Sequence, residues 1–379
     1  MQNLKDIEAT YEHKYTTRFI IDKSLGFSRL REMELSKYER LFIVADEKAY
    51  AIYGDRIVDI LETWNKEINV FTVEAVEYTK SIGFYPRLAE FLESNTAGRY
   101  DAVIAIGGGI VIDLVSFTVS TYMRGLPLFI IATTLIGQTD ASTAGKTCLN
   151  SGNAKNLLGT FYYPEVVYNS IEIMKTCSPR ITRQGLSEAF KYSLLTDGKL
   201  LGDIIKFQNS DFDSDIMERI VEKTIQSRIK IRLIDSLASN LGHTFGHALE
   251  KYYDYQILHG DAILIGTVMA MGYGVKVGIM EQSEYDRIYD MMNEAHLNTY
   301  ISKELDTKKL VELMKKDKKS SSKKLHLVMI NGVGKPYRSD TPFYEADYED
   351  VEKYLEEFMG SYLRKREDYL EYLDRDDLY

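Results

Sequence analysis

Four runs in the first 170 residues are apolar at nearly every position: LFIVAD at 41–46, INVFTV at 68–73, AVIAIG at 102–107 and LFIIAT at 128–133. They are short and rich in β-branched residues, and unbroken apolar character rather than alternation predicts strands buried on both faces, as in a parallel sheet. The segments between them read as crossover helices, which makes the first part α/β. After about residue 178 the texture turns helical, in SPRITRQGLSEAFKYSLL, DFDSDIMERIVEKTIQSRIKIRL, ASNLGHTFGHALEKYY and GDAILIGTVMAMGYGVKVG, with Ser or Asp at plausible caps. The pattern therefore predicts an α/β domain over 1–177 and a mainly helical domain over 178–379. One late strand is expected in LHLVMI at 325–330, before the turn-forming NGVGKP. The acidic, tyrosine-rich tail from Tyr344 reads as a terminal helix with a solvated face.

Composition narrows the function. The 379 residues carry 47 Lys and Arg against 57 Asp and Glu, a net charge of −10, so neither nucleic acid nor an anionic membrane surface is an expected partner. Two cysteines, Cys148 and Cys177, make no disulfide framework and fit a reducing cytoplasm. Charges throughout the first 25 residues leave no room for a secretory signal, and the best apolar run, between Arg124 and Asp140, is too short to cross a bilayer. A cytoplasmic location is expected.

Three segments carry candidate chemistry. In AVIAIGGGIVID a strand runs into Gly107, Gly108 and Gly109 and then into a helix bearing Asp113. A turn without side chains lets backbone N–H groups approach a pyrophosphate, although a plain strand-to-helix turn uses glycine as well. Thr133 and Thr134, after the next strand, fall at the same carboxyl edge of the sheet, where ligands of open α/β sheets gather, and this favours a dinucleotide. His243, His247 and His259 fall within 17 residues of a chain with only six histidines. With a carboxylate such as Glu188 they suffice for a three-donor catalytic metal site, but spacing does not say which three of the four groups bind. The small, polar segment 138–159 carries Asp140, Lys146, Lys155 and Asn156, and Lys191 lies one helical turn beyond Glu188. Ammonium groups beside a metal carboxylate suit a phosphorylated, hydroxyl-bearing substrate.

Taken together, GGGIVIDLVSFTVSTYMRG, ATTLIGQTDASTAGKTCLN, KNLLGTFYYP, GLSEAFKY, NLGHTFGHALE, LHGDA and DKK followed by HLVMINGVGKP resemble the motifs of the 3-dehydroquinate synthase family of sugar phosphate cyclases. The resemblance implies a Rossmann-like N-terminal domain, a helical C-terminal domain, and NAD with a divalent metal, zinc or cobalt, in the cleft between them. It implies Glu188, His243 and His259 as metal ligands, with His247 facing the substrate phosphate instead. It places NAD against Asp46, Glu77, Lys80, Gly108, Gly109, Asp113, Thr133 and Thr134. Asp140, Lys146, Asn156, Lys191 and Asn240 match substrate and catalytic positions, Lys155 a neighbouring contact, and one of Lys318 and Lys319 a phosphate contact. Arg124 is expected to reach into the partner's site of a homodimer. The implied chemistry is transient oxidation, β-elimination of phosphate, re-reduction, ring opening and an intramolecular aldol, with no net redox change.

Some positions depart from the family. The lysine and arginine that clamp the substrate carboxylate precede the GHTFGH helix, yet here SRIKIRLIDSLASNLGH is shortened and Ser236 stands in the arginine's place. A serine does not replace a bidentate guanidinium. Lys230 is the available substitute for the lysine. Lys48 and Ile112 replace an asparagine and a glycine near the cofactor, whereas Asn240 and His247 are kept, unlike in the deoxyinosose and valiolone synthase branches. Weak turnover of a keto acid phosphate is therefore expected unless Lys230, Arg232 or another base fills the gap. The competing readings are a metal-dependent polyol dehydrogenase of the same architecture and a noncatalytic binding protein.

Overall fold

The computed structural model describes residues 14–24, 26–152, 154–235, 237–297, 299–315, 324–338, 343–358 and 364–366. The four apolar runs form strands β2 (Arg40–Asp46), β3 (Glu67–Val73), β4 (Ala102–Gly107) and β5 (Leu128–Ala132). Two strands that the apolar pattern missed, β1 (Arg18–Asp22) and β8 (Val166–Ser170), join them. The result is a six-stranded sheet in the order β1-β8-β5-β4-β2-β3, with every pairing parallel. Helices α1 (Glu47–Glu62), α2 (Tyr85–Ser94) and α3 (Gly109–Thr121) make crossovers between them. Segment 138–159, expected as a polar loop, instead contains a wide helical turn at Gly137–Ala141 and the antiparallel hairpin of β6 (Leu149–Ser151) and β7 (Ala154–Leu158).

The helical half comprises α4 (Pro179–Leu195), α5 (Leu201–Gln208), α6 (Ser214–Ile234), α7 (His243–Tyr252), α8 (His259–Lys276), α9 (Gln282–Glu294), α10 (Thr307–Lys315) and α11 (Tyr348–Phe358). Two of their starts, those of α4 and α6, follow caps in the sequence. Ser178 accepts from the Ile181 amide ahead of Pro179, and Asp213 accepts from the amides of Asp215 and Ile216. Each such cap satisfies N–H groups that the first turn leaves open. Short strands β9 (Tyr300–Ser302), β10 (Leu325–Leu327), β11 (Tyr344–Ala346) and β12 (Arg364–Arg366) pair in twos at the periphery. The late strand thus covers only Leu325–Leu327, and the tail opens with β11 before its helix.

Alternation along the buried strands divides the core. Phe42, Val44, Val103 and Ala105 face Leu88, Val111 and Val115 of α2 and α3. Leu41, Ile43, Ile104 and Ile106 face the other way, into the cluster that includes Leu186 and Phe190 of α4. Helix α4 meets the α/β half at the wide turn that follows β5, where Gly185 lies against Leu135, and it packs otherwise on α8 and α6.

Candidate active site

At the carboxyl end of β4 the chain turns through Gly107 and Gly108 into α3. The turn fits closely: a Cβ on Gly108 would lie 2.9 Å from the Thr134 side chain, and one on Gly107 would lie 2.7 Å from Val111. Gly109 is different. A Cβ there would meet only Ala141, at 3.8 Å, so its missing side chain leaves open space in front of the helix terminus, as a pyrophosphate requires. The Thr133 amide donates to the Gly107 carbonyl, and Thr134 Oγ1 accepts from Gly137. Asp113, one turn into α3, forms an ion pair with Lys80 at 2.5 Å, both largely buried. Burial works against the Lys80 ammonium, but Asp113 outweighs it and keeps the amine protonated. Cys148 beside this pair is pushed up to about 12 by burial and by Asp113, so it stays a thiol. Glu77 accepts from Asn150 Nδ2 at 2.7 Å and lies 3.4 Å from Lys155. Asp46 caps α1 by accepting from the Lys48 amide.

The second cluster belongs to α4, α7 and α8. Gly242 adopts φ +77°, and Gly242, Gly246 and Gly266 bring α7 and α8 so close that a Cβ on Gly266 would lie 2.1 Å from the Gly242 carbonyl oxygen. A Cβ on Gly260 would likewise meet the Gln184 backbone of α4 at 2.6 Å. These contacts converge Glu188, buried on α4, with His243 and His259, the first residues of α7 and α8. One donor atom from each lies within 4.8 Å of the others. Neither Glu188 oxygen has an aligned hydrogen bond among the described residues, although Lys191 contacts it directly. A buried carboxylate with open lone pairs beside two imidazoles fits a divalent cation. His243 Nδ1 lies 3.1 Å from the Leu241 carbonyl, and His259 Nδ1 lies 3.4 Å from Glu250 Oε1; donation of Nδ1–H to these acceptors is the tautomer that puts the imidazole lone pair on Nε2. Burial pushes the Glu250 carboxyl up, but His259 and His247 more than reverse this and hold it at about 2. His247 stands one turn along α7, its ring centroid 5.3 Å from that of His243 and 6.3 Å from that of His259.

Between the two clusters sits Asp140, on the wide turn after β5. Its Oδ1 accepts from Tyr192 Oη at 2.8 Å and from Arg228 Nε at 2.9 Å. Burial raises this carboxyl, and Arg228, Lys191 and the Tyr192 hydroxyl overcome it, lowering the pKa to about 2. Lys146 is accessible at the rim, yet its ammonium pKa is lowered by the surrounding protein and by Arg228, against the pull of Asp140. Arg228 is buried, and its Nη1 and Nη2 have no partner among the described residues. Its neighbour on the same helix face, Arg232, is already engaged by the Ala144 carbonyl and the Tyr163 hydroxyl.

The structure does not bring every expected residue together. Lys230 lies on the exposed side of α6, because residues two apart on a helix point to different faces. Arg124 is exposed in a left-handed turn beyond the far end of α3, a helix roughly 20 Å long at 1.5 Å per residue, and so lies away from this chain's own site. Asn156 is exposed on β7 with φ +52°, and Asn240 donates to the Leu237 carbonyl just before α7. Lys318, Lys319 and Ser236 lie outside the described residues. Three residues were missed from sequence: Arg228, Tyr192 and Glu250. Helical spacing carried their signal, since Arg228 and Arg232 share a face, Tyr192 follows Lys191, and Glu250 lies three residues after His247.

The glycine turn after β4 and the cluster of Glu188, His243 and His259 are thus two candidate sites, with Asp140 between them. The sequence matches 3-dehydroquinate synthase N-terminal over residues 70–184 and 3-dehydroquinate synthase C-terminal over residues 185–320, and the chain belongs to the 3-dehydroquinate synthase family. It is 30% identical over 329 residues to the 3-dehydroquinate synthase of Desulforamulus reducens, covering 84% of this chain and 90% of that one. Its fold resembles 2-deoxy-scyllo-inosose synthase complexed with carbaglucose-6-phosphate, NAD+ and Co2+, at TM-score 0.80 and 19% identity over 89% of this chain and 96% of the other. It also resembles glycerol dehydrogenase from Schizosaccharomyces pombe, at TM-score 0.62 and 13% identity over 95% of this chain and 96% of the other. No helix among the described residues is long and apolar enough to cross a membrane.

Proposed function

We propose that this chain is an NAD- and divalent-metal-dependent sugar phosphate cyclase that carries out the 3-dehydroquinate synthase reaction, releasing phosphate from a seven-carbon keto acid phosphate and closing a carbocycle. The observation that carries the substrate assignment is Arg228. A guanidinium has five N–H donors, and with Nε committed to Asp140 four remain on the Nη atoms, in the planar fork that suits a carboxylate. The shortened segment before α7 is thereby offset from within α6, and the expectation of weak keto acid turnover gives way to efficient turnover.

Glu188, His243 and His259 would hold the metal, which polarises a substrate oxygen when bound. The Gly107–Gly109 turn, with Asp113, Lys80, Thr133 and Thr134, would hold NAD, which would supply a reversible hydride acceptor for the ring carbinol. Arg228 and Lys146 orient the carboxylate end. Lys191, buried against Glu188, adds positive charge beside the reacting carbons, and His247 donates to the phosphate as it leaves. Asp140, ionised and held by Tyr192 and Arg228, fixes that guanidinium in place.

A polyol dehydrogenase of the same fold has no need of so many cations around its substrate. The deciding experiment follows phosphate release and NADH absorbance together, with 3-deoxy-arabino-heptulosonate 7-phosphate, sedoheptulose 7-phosphate, glucose 6-phosphate and glycerol. Stoichiometric phosphate and carbocycle from the keto acid, with no NADH accumulating, is the expected outcome. NADH accumulation with glycerol and no phosphate release would identify a dehydrogenase instead.

A further inference from the structure

The geometry points to Glu250 as the positioning residue of the metal centre, holding the His259 ring so that Nε2 is presented to the cation. The inference rests on the reading of Glu188, His243 and His259 as metal ligands. A neutral imidazole has one N–H and one lone pair, so whatever accepts the N–H decides which nitrogen is free to bind a metal. For His243 that acceptor is the Leu241 carbonyl at 3.1 Å, part of the main chain and fixed by the turn into α7. For His259 no main-chain acceptor serves among the described residues. Its Nδ1 faces Glu250 Oε1 at 3.4 Å, while its Nε2 faces Glu188 Oε1 at 3.8 Å. The two carboxylates thus flank one ring from opposite nitrogens.

The placement of Glu250 is costly without such a role. It sits in the last turn of α7, 7% exposed, and a carboxylate withdrawn from water needs compensating partners. The partner its Oε1 faces is His259 Nδ1, a group of the cleft rather than of the hydrophobic core. Because His259 begins α8 and its N-cap residue, Leu258, supplies no side-chain acceptor, the carboxylate on the neighbouring helix is what fixes the ring.

Metal affinity tests this directly, without reference to turnover. Zn2+ and Co2+ dissociation constants are measured by chelator competition for the wild-type chain, Glu250→Ala, Glu250→Gln and His243→Ala, with thermal melting of the metal-free proteins as the check on folding. Loss of an outer carboxylate partner typically weakens metal binding 10- to 100-fold. Glu250→Ala is expected in that range, and Glu250→Gln, whose amide oxygen still accepts from Nδ1–H, is expected to recover part of the loss. The visible absorption of the Co2+-loaded protein should shift in Glu250→Ala and lie closer to wild type in Glu250→Gln. Should Glu250→Ala not fold, Glu250→Asp, which withdraws the carboxylate by one methylene, takes its place with the same expected direction. Folded Glu250→Ala or Glu250→Asp within twofold of wild type, or Glu250→Gln as weak as Glu250→Ala, would overturn the assignment. Unchanged affinity in His243→Ala as well would instead bring down the metal-ligand reading on which it rests.

Discussion

Replacing Arg228 by methionine separates recognition of the substrate carboxylate from maintenance of the fold. The side chain is 7% exposed and its partner Asp140 27%, so the pair is mostly desolvated. Removing one member of a buried pair costs about 3–5 kcal/mol, and the partial exposure of Asp140, together with its bond to Tyr192, brings the expected loss of stability to roughly 2 kcal/mol. Losing a hydrogen-bonded charge partner for the substrate costs a further ~2–5 kcal/mol in kcat/KM, and each 1.4 kcal/mol is about tenfold. Arg228→Met should therefore lower kcat/KM for the keto acid phosphate by about thirtyfold or more. Sedoheptulose 7-phosphate, which has no carboxylate, should lose about tenfold or less. Arg228→Lys keeps the charge but not the fork, and falls between. Phosphate release by both substrates is the assay. An equal fall with the two would show that Arg228 serves only to hold Asp140 and would refute the carboxylate assignment.

The same variant has a signature in pH. Asp140 is held at about 2 largely by Arg228 and Lys191, so in Arg228→Met its pKa rises toward the ordinary carboxylate range and the acid limb of kcat/KM should move to higher pH. An unmoved limb would separate Asp140 from the pH dependence. His243→Ala should abolish metal retention, whereas His247→Ala should keep the metal and lose turnover; elemental analysis giving the reverse would overturn the ligand set. Gly109→Val should leave the melting temperature nearly unchanged, since only Ala141 stands near the new side chain, while blocking NAD by filling the space before the helix terminus. Unchanged NAD affinity by calorimetry would sink that placement. Asp203 bridges α5 to Lys223 and Arg219 of α6, and although burial raises its carboxyl, those cations lower it below the ordinary value. A depressed folded pKa gives stability that is present above pH ~4 and lost as pH falls through the folded value. Asp203→Asn should thus cost on the order of 1 kcal/mol at pH 7 and progressively less as the pH is lowered below ~4, read from paired thermal melts; a difference that does not shrink with acidification would contradict the linkage.

Sequence legibility followed local chemistry. Strands β2 to β5 stood out because unbroken apolar runs advertise burial on two faces. Strand β8 was hidden although all five of its residues are buried, because Asn169 and Ser170 break its apolar pattern. Strand β1 lies at the sheet edge and pairs with β8 alone, so its sequence RFIID mixes charge with apolar residues. The β6–β7 hairpin offers no apolar run, because its strands LNS and AKNLL are short and interrupted by polar residues. At the site, helical spacing put His243 and His247 on one face of α7, but the convergence with Glu188 and His259 arises from glycine-mediated contact between three helices. No window of sequence contains that contact. Arg228 escaped notice for a related reason: in SRIKIRL every second residue is basic, and only the docking of α6 against the turn at Asp140 selects which one points inward.

The close packing of α7 on α8 also bears on assembly. Two of the three proposed metal donors are separated by 16 positions, and the loop that joins their helices is short, so little chain entropy is spent in bringing them together. The third donor, on α4, also lies in the helical half, whereas the glycine turn, Lys80 and Asp113 belong to the sheet. On the proposed assignments, metal occupancy and dinucleotide occupancy would be separate reporters during unfolding: release of the metal would mark loosening of the helices, and release of NAD loosening of the sheet.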